Sequence, residues 1–208
     1  YKYLNNNSMG KINLNGLDGI HNKEDGFNIM KVKLGYSNIY DDIEKMQELT
    51  NYYGKKVKFR IDINESLDLV KAIRFCKSME KFNIDYIEQP LNKNELEDLA
   101  ELRMHTKIQI AVDESLQNIQ SANDIIKKQA ADIFIIKPMM IGSYLEINQI
   151  IDIAKKYDIE CVITNMLDSG VNRMACIHIA LSNNINRECG ISGDNLFESE
   201  MYQTPKII

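Results

Sequence analysis

From Phe27 onward, short runs rich in β-branched and aromatic residues alternate with longer segments whose apolar positions recur every three or four residues. The first pattern suits a strand and the second an amphipathic helix, so their alternation predicts a parallel sheet built from βα units. The predicted strands are Ile29 to Leu34, Val57 to Ile63, Tyr86 to Glu88, Ile108 to Val112, Ile133 to Ile136 and Cys161 to Thr164. Ile12 to Leu14 supplies an earlier strand and Gly190 to Ser192 a short last one. The predicted helices run from Ile39 to Tyr53, Ser66 to Phe82, Asn94 to His105, Ser121 to Lys128, Ser143 to Tyr157 and Val171 to Leu181. In the second of these, Leu67, Val70, Ile73, Phe75 and Met79 lie mainly along one stripe, with Asp68, Lys71, Lys77 and Lys81 largely opposite.

The chain has 208 residues, and an eight-fold βα repeat of about 25 residues would use nearly all of it as one domain. No linker divides it. Alternating βα units can also form an open doubly wound sheet, whose first turn is rich in glycine when it binds a nucleotide. Here only Gly35 follows the Ile29 to Leu34 run, and neither G-x-G-x-x-G nor a P-loop occurs, which favours the barrel.

A net charge of −5, with lysines interleaved among acids along the helical segments, makes nucleic acid an unexpected partner. The opening stretch Tyr1 to Asn15 has no long apolar run or cleavage-like pattern, so neither a signal peptide nor a membrane helix is expected there. Cys76, Cys161, Cys176 and Cys189 lack C-x-x-C spacing and read as reduced core thiols, which points to the cytoplasm.

Three acids carry the candidate chemistry. Asp62 in R-I-D-I-N, Glu88 in Y-I-E-Q-P and Asp113 in A-V-D-E-S are 26 and 25 positions apart, each at the end of an apolar run. In a parallel barrel all three emerge on the rim where the strands end. A buried acid is costly unless it is paired, hydrogen-bonded or bound to a metal. Taken singly, each could cap a helix or pair with Lys or Arg; the shared position in three consecutive units points to one divalent cation. Oxygen-only donors suit Mg²⁺, and the absence of His or Cys nearby disfavours Zn²⁺. Glu114 must point away from Asp113 or into the following loop.

Lys31 and Lys33, in I-M-K-V-K-L, share a strand face because side chains alternate with period two, and they would repel without carboxylates nearby. Lys137, in F-I-I-K-P, ends the sixth strand, roughly across the barrel mouth. A substrate on the cation would then have an ammonium on each side. Nearby positive charge lowers a lysine pKa, and a neutral lysine is a competent general base. His21, His105 and His178 lie at loop or helix positions and are not candidate bases.

At these residues the chain resembles the enolase superfamily, in its muconate-lactonizing-enzyme-like branch. K-V-K, R-I-D-I-N, Y-I-E-Q-P-L, A-V-D-E-S-L, I-K-P and M-L-D-S-G-V occur in the family's order between about Ile12 and Asp194. The resemblance implies a TIM-like (β/α)₇β barrel without the family's N-terminal capping domain, whose loops close over the substrate. It also implies Mg²⁺, or Mn²⁺ in its place, on Asp62, Glu88 and Asp113, and a small-molecule carboxylate substrate. The chemistry is removal of the proton beside that carboxylate by a Lys or His base, through an enediolate.

Three details resemble the o-succinylbenzoate synthases: L-N-G-L at Leu14 to Leu17, Lys137 followed by Pro138 and a Gly142 turn, and D-S-G-V at Asp168 to Val171. That resemblance implies a syn-dehydration in menaquinone biosynthesis. Lys33 is then the base, and Lys137 stabilises the enediolate from the opposite face. Lys31 helps neutralise the carboxylate, Asn64 lies beside the metal, and the Ser169 and Gly170 backbone holds the succinyl carboxylate at a helix N-terminus. The chain departs from the family pattern at Asp168, at Gly142–Ser143 and at Glu65–Leu67, where the family usually has Glu, Gly-Gly and an aromatic; these positions bear on the substrate. A dipeptide epimerase or N-succinylamino acid racemase, using Lys33 and Lys137 as acid/base partners, is the alternative reaction. A non-catalytic barrel that binds metal or a partner is the alternative class.

Overall fold

The computed structural model describes residues 4–5, 7–36, 38–166 and 168–191. Among them, seven strands form one sheet in chain order, every neighbouring pair parallel. The strands are β1 (Gly16–Leu17), β2 (Ile29–Lys33), β3 (Lys58–Asp62), β4 (Ile84–Glu88), β5 (Gln109–Val112), β6 (Ile133–Ile136) and β7 (Glu160–Ile163). The helices between and after them are α1 (Ile39–Tyr53), α2 (Leu69–Met79), α3 (Leu96–His105), α4 (Ile119–Lys128), α5 (Pro138–Ile141), α6 (Tyr144–Lys156) and α7 (Gly170–Ser182).

Residues 189 and 190 join the two edges of this sheet. Cys189 bridges Leu14 and Gly190 bridges Thr164, both in parallel sense. Cys189 N–H donates to Asn13 O at 2.8 Å, and Gly190 N–H donates to Ile163 O at 3.0 Å. Pairing on both sides leaves no exposed edge at this seam. The curled sheet is the expected TIM-like barrel; the expected short last strand at Gly190 to Ser192 is represented by bridges at Cys189 and Gly190, and Ser192 lies outside the described residues.

Period-two alternation sorts the strand residues into two layers. Met30, Val32, Phe59, Ile61, Ile87, Ile110, Val112, Phe134, Ile136 and Ile163 pack outward in one core with the helices. The intervening positions face the barrel axis. Tyr86, Ala111, Ile133, Ile135 and Val162 make a separate apolar cluster there, while β2, β3 and β4 contribute Lys31, Arg60, Asp62 and Glu88. The interior is therefore polar on one side and apolar on the other.

The first strand differs from expectation. Ile12 and Leu14 pack against the core, but the ladder to β2 is made by Gly16 and Leu17. A Cβ at Gly16 would run into the Met30 side chain, so glycine is what lets the two backbones approach. Helix α2 is shorter than the apolar stripe suggests, because Asp68 caps it by accepting from Lys71 N–H at 2.9 Å. Helix α5 was not anticipated; Pro138 occupies its first turn and Gly142 ends it in the left-handed region.

At the bottom of the interior, Arg60 is fully buried and reaches the seam. It donates to Asp85 Oδ2 at 2.8 Å, to Asn15 Oδ1 at 2.9 Å and to Glu188 O at 2.7 Å, and its guanidinium lies 4.7 Å from the centroid of the Tyr86 ring. A bulge makes this possible: Phe59 pairs with Ile84 but Arg60 with Tyr86, leaving Asp85 as the extra residue. Arg187 adds bonds to Asp85 at 3.1 Å and Glu160 at 2.8 Å. The four cysteines are buried without disulfides, and burial pushes the Cys76 thiol up to about 12. Among the described residues, no helix is long and apolar enough to cross a membrane.

Candidate active site

The strand register places the charged residues in tiers. Lys33, Asp62 and Glu88 are successive partners across β2, β3 and β4, with Lys31, Arg60 and Tyr86 one tier below. Parallel partners point to the same side, so the inward face of the rim carries one lysine and two acids side by side. Lys31 reaches upward: its Nζ lies 2.9 Å from Asp62 Oδ2 and 2.7 Å from Glu88 Oε1. Asp113, just beyond β5, pairs with the Lys137 ammonium, which follows β6. The side chains of Asp62, Glu88 and Asp113 are 5%, 0% and 5% exposed, so each depends on the charge opposite it.

These environments shift the ionisations. Burial pulls the Lys31 ammonium pKa down, but the Glu88 and Asp62 carboxylates outweigh it and hold the group well above the ordinary lysine value. Burial pushes Glu88 up to about 8; Lys31 opposes the shift, and Asp62 and Asp113 add to it. The lowering expected for a lysine beside positive charge does not apply to Lys31, because its nearest groups are anions.

Among the described residues, no group of three His, Cys, Asp or Glu side chains is arranged as a ready metal site, since each of the three carboxylates is held by an ammonium. The oxygen chemistry fits nonetheless: Glu88 Oε2 is buried without a hydrogen-bond partner, an arrangement costly in a protein interior unless something binds it.

Around this set lies a cavity of about 270 Å³. Lys31, Lys33, Asp62, Asn64, Tyr86 and Lys137 line it, with Leu17, Thr164, Asn165 and Met166 also contributing. The expected lysines from β2 and from the end of β6 thus meet in one space. Ser169 and Gly170 do not line it; they begin α7 beyond Met166, and the Ser169 side chain makes no capping bond. A larger cleft of about 690 Å³ opens at the opposite end of the barrel beside Arg103 and Tyr157. It holds no comparable set of carboxylates and lysines.

Two left-handed turns and a buried glutamine shape the site in ways the sequence did not signal. Asn64, Glu65 and Gln89 have positive φ angles of 45°, 63° and 39°, turning the chain just past β3 and β4. Gln89 is buried, and its side chain makes four hydrogen bonds. Its Oε1 accepts from Asp113 N–H at 3.0 Å and Ser115 N–H at 3.1 Å, and its Nε2 donates to Leu91 O and Ser115 Oγ at 2.9 Å each. It therefore fixes the backbone that carries Asp113. Period two would have revealed Arg60 and Tyr86 from Asp62 and Glu88; nothing local marks Gln89. Gln89→Leu is expected to cost on the order of 2–4 kcal/mol, because buried donors lose their acceptor. An unchanged denaturant midpoint would contradict this.

A family model described as Enolase C-terminal domain-like matches residues 20–206. The chain belongs to the enolase superfamily. The N-succinyl-L-Arg/Lys racemase of Bacillus cereus is 28% identical over 187 residues, covering 88% of this chain and 50% of that protein. The L-Ala-D/L-Glu epimerase of Bacillus subtilis is 30% identical over 159 residues, covering 76% of this chain and 43% of that protein. The crystal structure of a dipeptide epimerase from Cytophaga hutchinsonii, complexed with Mg and the dipeptide D-Ala-L-Val, superimposes with a TM-score of 0.88 at 25% identity, over 96% of this chain and 57% of that one. The chain spans about half the length of these curated relatives.

Proposed function

We propose that this superfamily barrel inverts the configuration of the carbon beside a carboxylate, in a dipeptide or an N-acylated amino acid, by a two-base proton transfer. The observation that carries the reading is that Lys33 and Lys137 line one cavity together with Asp62. The relatives described above are a racemase and epimerases, which moves the reading from dehydration to the proton transfer that was its alternative.

In the proposed mechanism, neutral Lys33 takes the α-proton on one face, and the Lys137 ammonium returns a proton to carbon on the other. One C–H bond breaks and one forms, so the product differs only in configuration. The reverse direction exchanges the roles. Asp62, Glu88 and Asp113 would hold Mg²⁺ or Mn²⁺, which would supply the positive charge against which a carboxylate's α-proton becomes removable. Lys31, tied to Asp62 and Glu88, holds those acids in place, opposes the upward shift of Glu88 and adds charge near the substrate carboxylate. Asn64 orients Lys33 by accepting from its Nζ at 2.9 Å. Ser169 and Gly170 would serve a substrate whose tail extends past Met166 to the N-terminus of α7.

The test is exchange of the α-proton into deuterated water, with Mg²⁺ present. Dipeptide and N-succinylamino acid panels are compared with the cyclohexadiene carboxylate that a dehydratase would consume. Exchange with inversion is expected on at least one member of the first two panels. Turnover of the cyclohexadiene without any inversion would restore the dehydratase, and absence of exchange on every acid would favour a binding barrel.

A further inference from the structure

The rim lysine of β2 is tied, through Asn64, to a side chain that the mechanism does not use. Lys33 Nζ donates to Asn64 Oδ1, and the Tyr36 hydroxyl donates to the same oxygen at 2.8 Å. Asn64 Nδ2 donates to Glu114 Oε1 at 3.0 Å, which sets the amide so that its oxygen faces both donors. The loop that carries Tyr36 is built for this. Gly35 N–H donates to the buried Asp42 carboxylate at 3.3 Å, and Ser66 Oγ donates to Gly35 O at 3.0 Å. Gly35 has a φ of 88°, and a Cβ there would meet Ile63 and Ser66 at 3.0 Å, so the turn that aims Tyr36 requires glycine.

We propose that Tyr36 is a positioning residue for Lys33, acting through Asn64. A neutral lysine has two N–H groups and one lone pair. Anchoring an N–H on Asn64 Oδ1 turns the lone pair away from the amide, toward the cavity that Lys33 lines. Tyr36 holds that oxygen from a second side, and Glu114 holds the amide from its other end, so the anchor does not swing with the lysine chain. Tyr36 does not line the cavity and is given no contact with substrate. Placement of a base within the productive geometry is worth a measurable part of its rate.

The catalytic consequence rests on the proton-transfer reading above, and two measurements keep the questions apart. The first is α-proton exchange into deuterated water from L-Ala-L-Glu, L-Ala-D-Glu and both enantiomers of N-succinyl-lysine, with Mg²⁺. Lys33→Ala identifies the isomer whose proton faces Lys33. In Tyr36→Phe, kcat for exchange from that isomer is expected to fall about tenfold with KM little changed, while exchange from the other isomer stays at the parent rate. Equal losses from both isomers, or none, overturn the proposal.

The second is the rate at which acetic anhydride modifies Lys33, read by peptide mass spectrometry against exposed Lys11. Tyr36→Phe and Asn64→Gly should each change the Lys33 rate several-fold, and the double variant should match Asn64→Gly alone; glycine tolerates the positive φ at that position. An unchanged Lys33 rate in Tyr36→Phe defeats the proposal even if no probe is turned over. A changed rate with no exchange in the parent protein defeats the reaction reading and leaves the positioning role standing.

Discussion

Lys33→Ala is expected to abolish inversion at the α-carbon, a loss on the order of 10²–10⁴-fold or more, while exchange from the isomer facing Lys137 survives. Lys137→Ala should show the mirror image. Each lysine reaches only one face of a planar intermediate, so removing one base leaves a site that can still take and return the proton on the other side. The two variants should differ in stability. Lys33 is exposed and its loss leaves Asn64 bonded to Tyr36 and Glu114. Loss of Lys137 strands the buried Asp113 carboxylate, so its melting temperature should drop further. Exchange measured separately from each isomer, beside far-ultraviolet circular dichroism, checks both halves. Full inversion by Lys33→Ala would remove the proposed base.

Arg60→Ala should be the most damaging single change to the fold, costing about 3–5 kcal/mol. In a chain of this size that lowers the melting temperature by on the order of 10 °C. Arg60 is fully buried, and its loss leaves Asp85 paired with Arg187 alone among the described residues and leaves Asn15 Oδ1 and Glu188 O without this donor. These partners sit on β4, beside β1 and next to the residues that close the seam, so the substitution cuts three ties at once. Arg60→Lys should not rescue it, because an ammonium cannot reproduce the planar fork. A calorimetric melt within a few degrees of the parent would show that the seam holds without this residue.

The barrel and the placement of charged residues on its rim were legible in the sequence because both follow local rules. Six strand runs and the intervening apolar stripes appear at the expected places, with helix ends moved by caps such as Asp68. Alternation with period two was enough to put Lys31 and Lys33 on one face, and equal spacing put Asp62, Glu88 and Asp113 at strand ends. The first strand was misplaced because Ile12 and Leu14 carry the apolar signal, whereas Gly16 carries the close backbone approach.

What tertiary structure decided is which charges meet. Arg60 and Glu188 are 128 positions apart, Lys31 and Glu88 57, and Tyr36 and Asn64 28. No periodicity relates such residues; barrel curvature, one bulge at Asp85 and the positive φ turns after β3 and β4 bring them together. Sequence thus determined which charged side chains stand at the rim. Only the closed sheet determined that Lys31 lies against two of the carboxylates and Lys137 against the third, and that Asn64 is shared by Lys33 and Tyr36. Side-chain direction along a strand is a local property of the backbone, whereas pairing across a barrel depends on how every strand between the partners is registered.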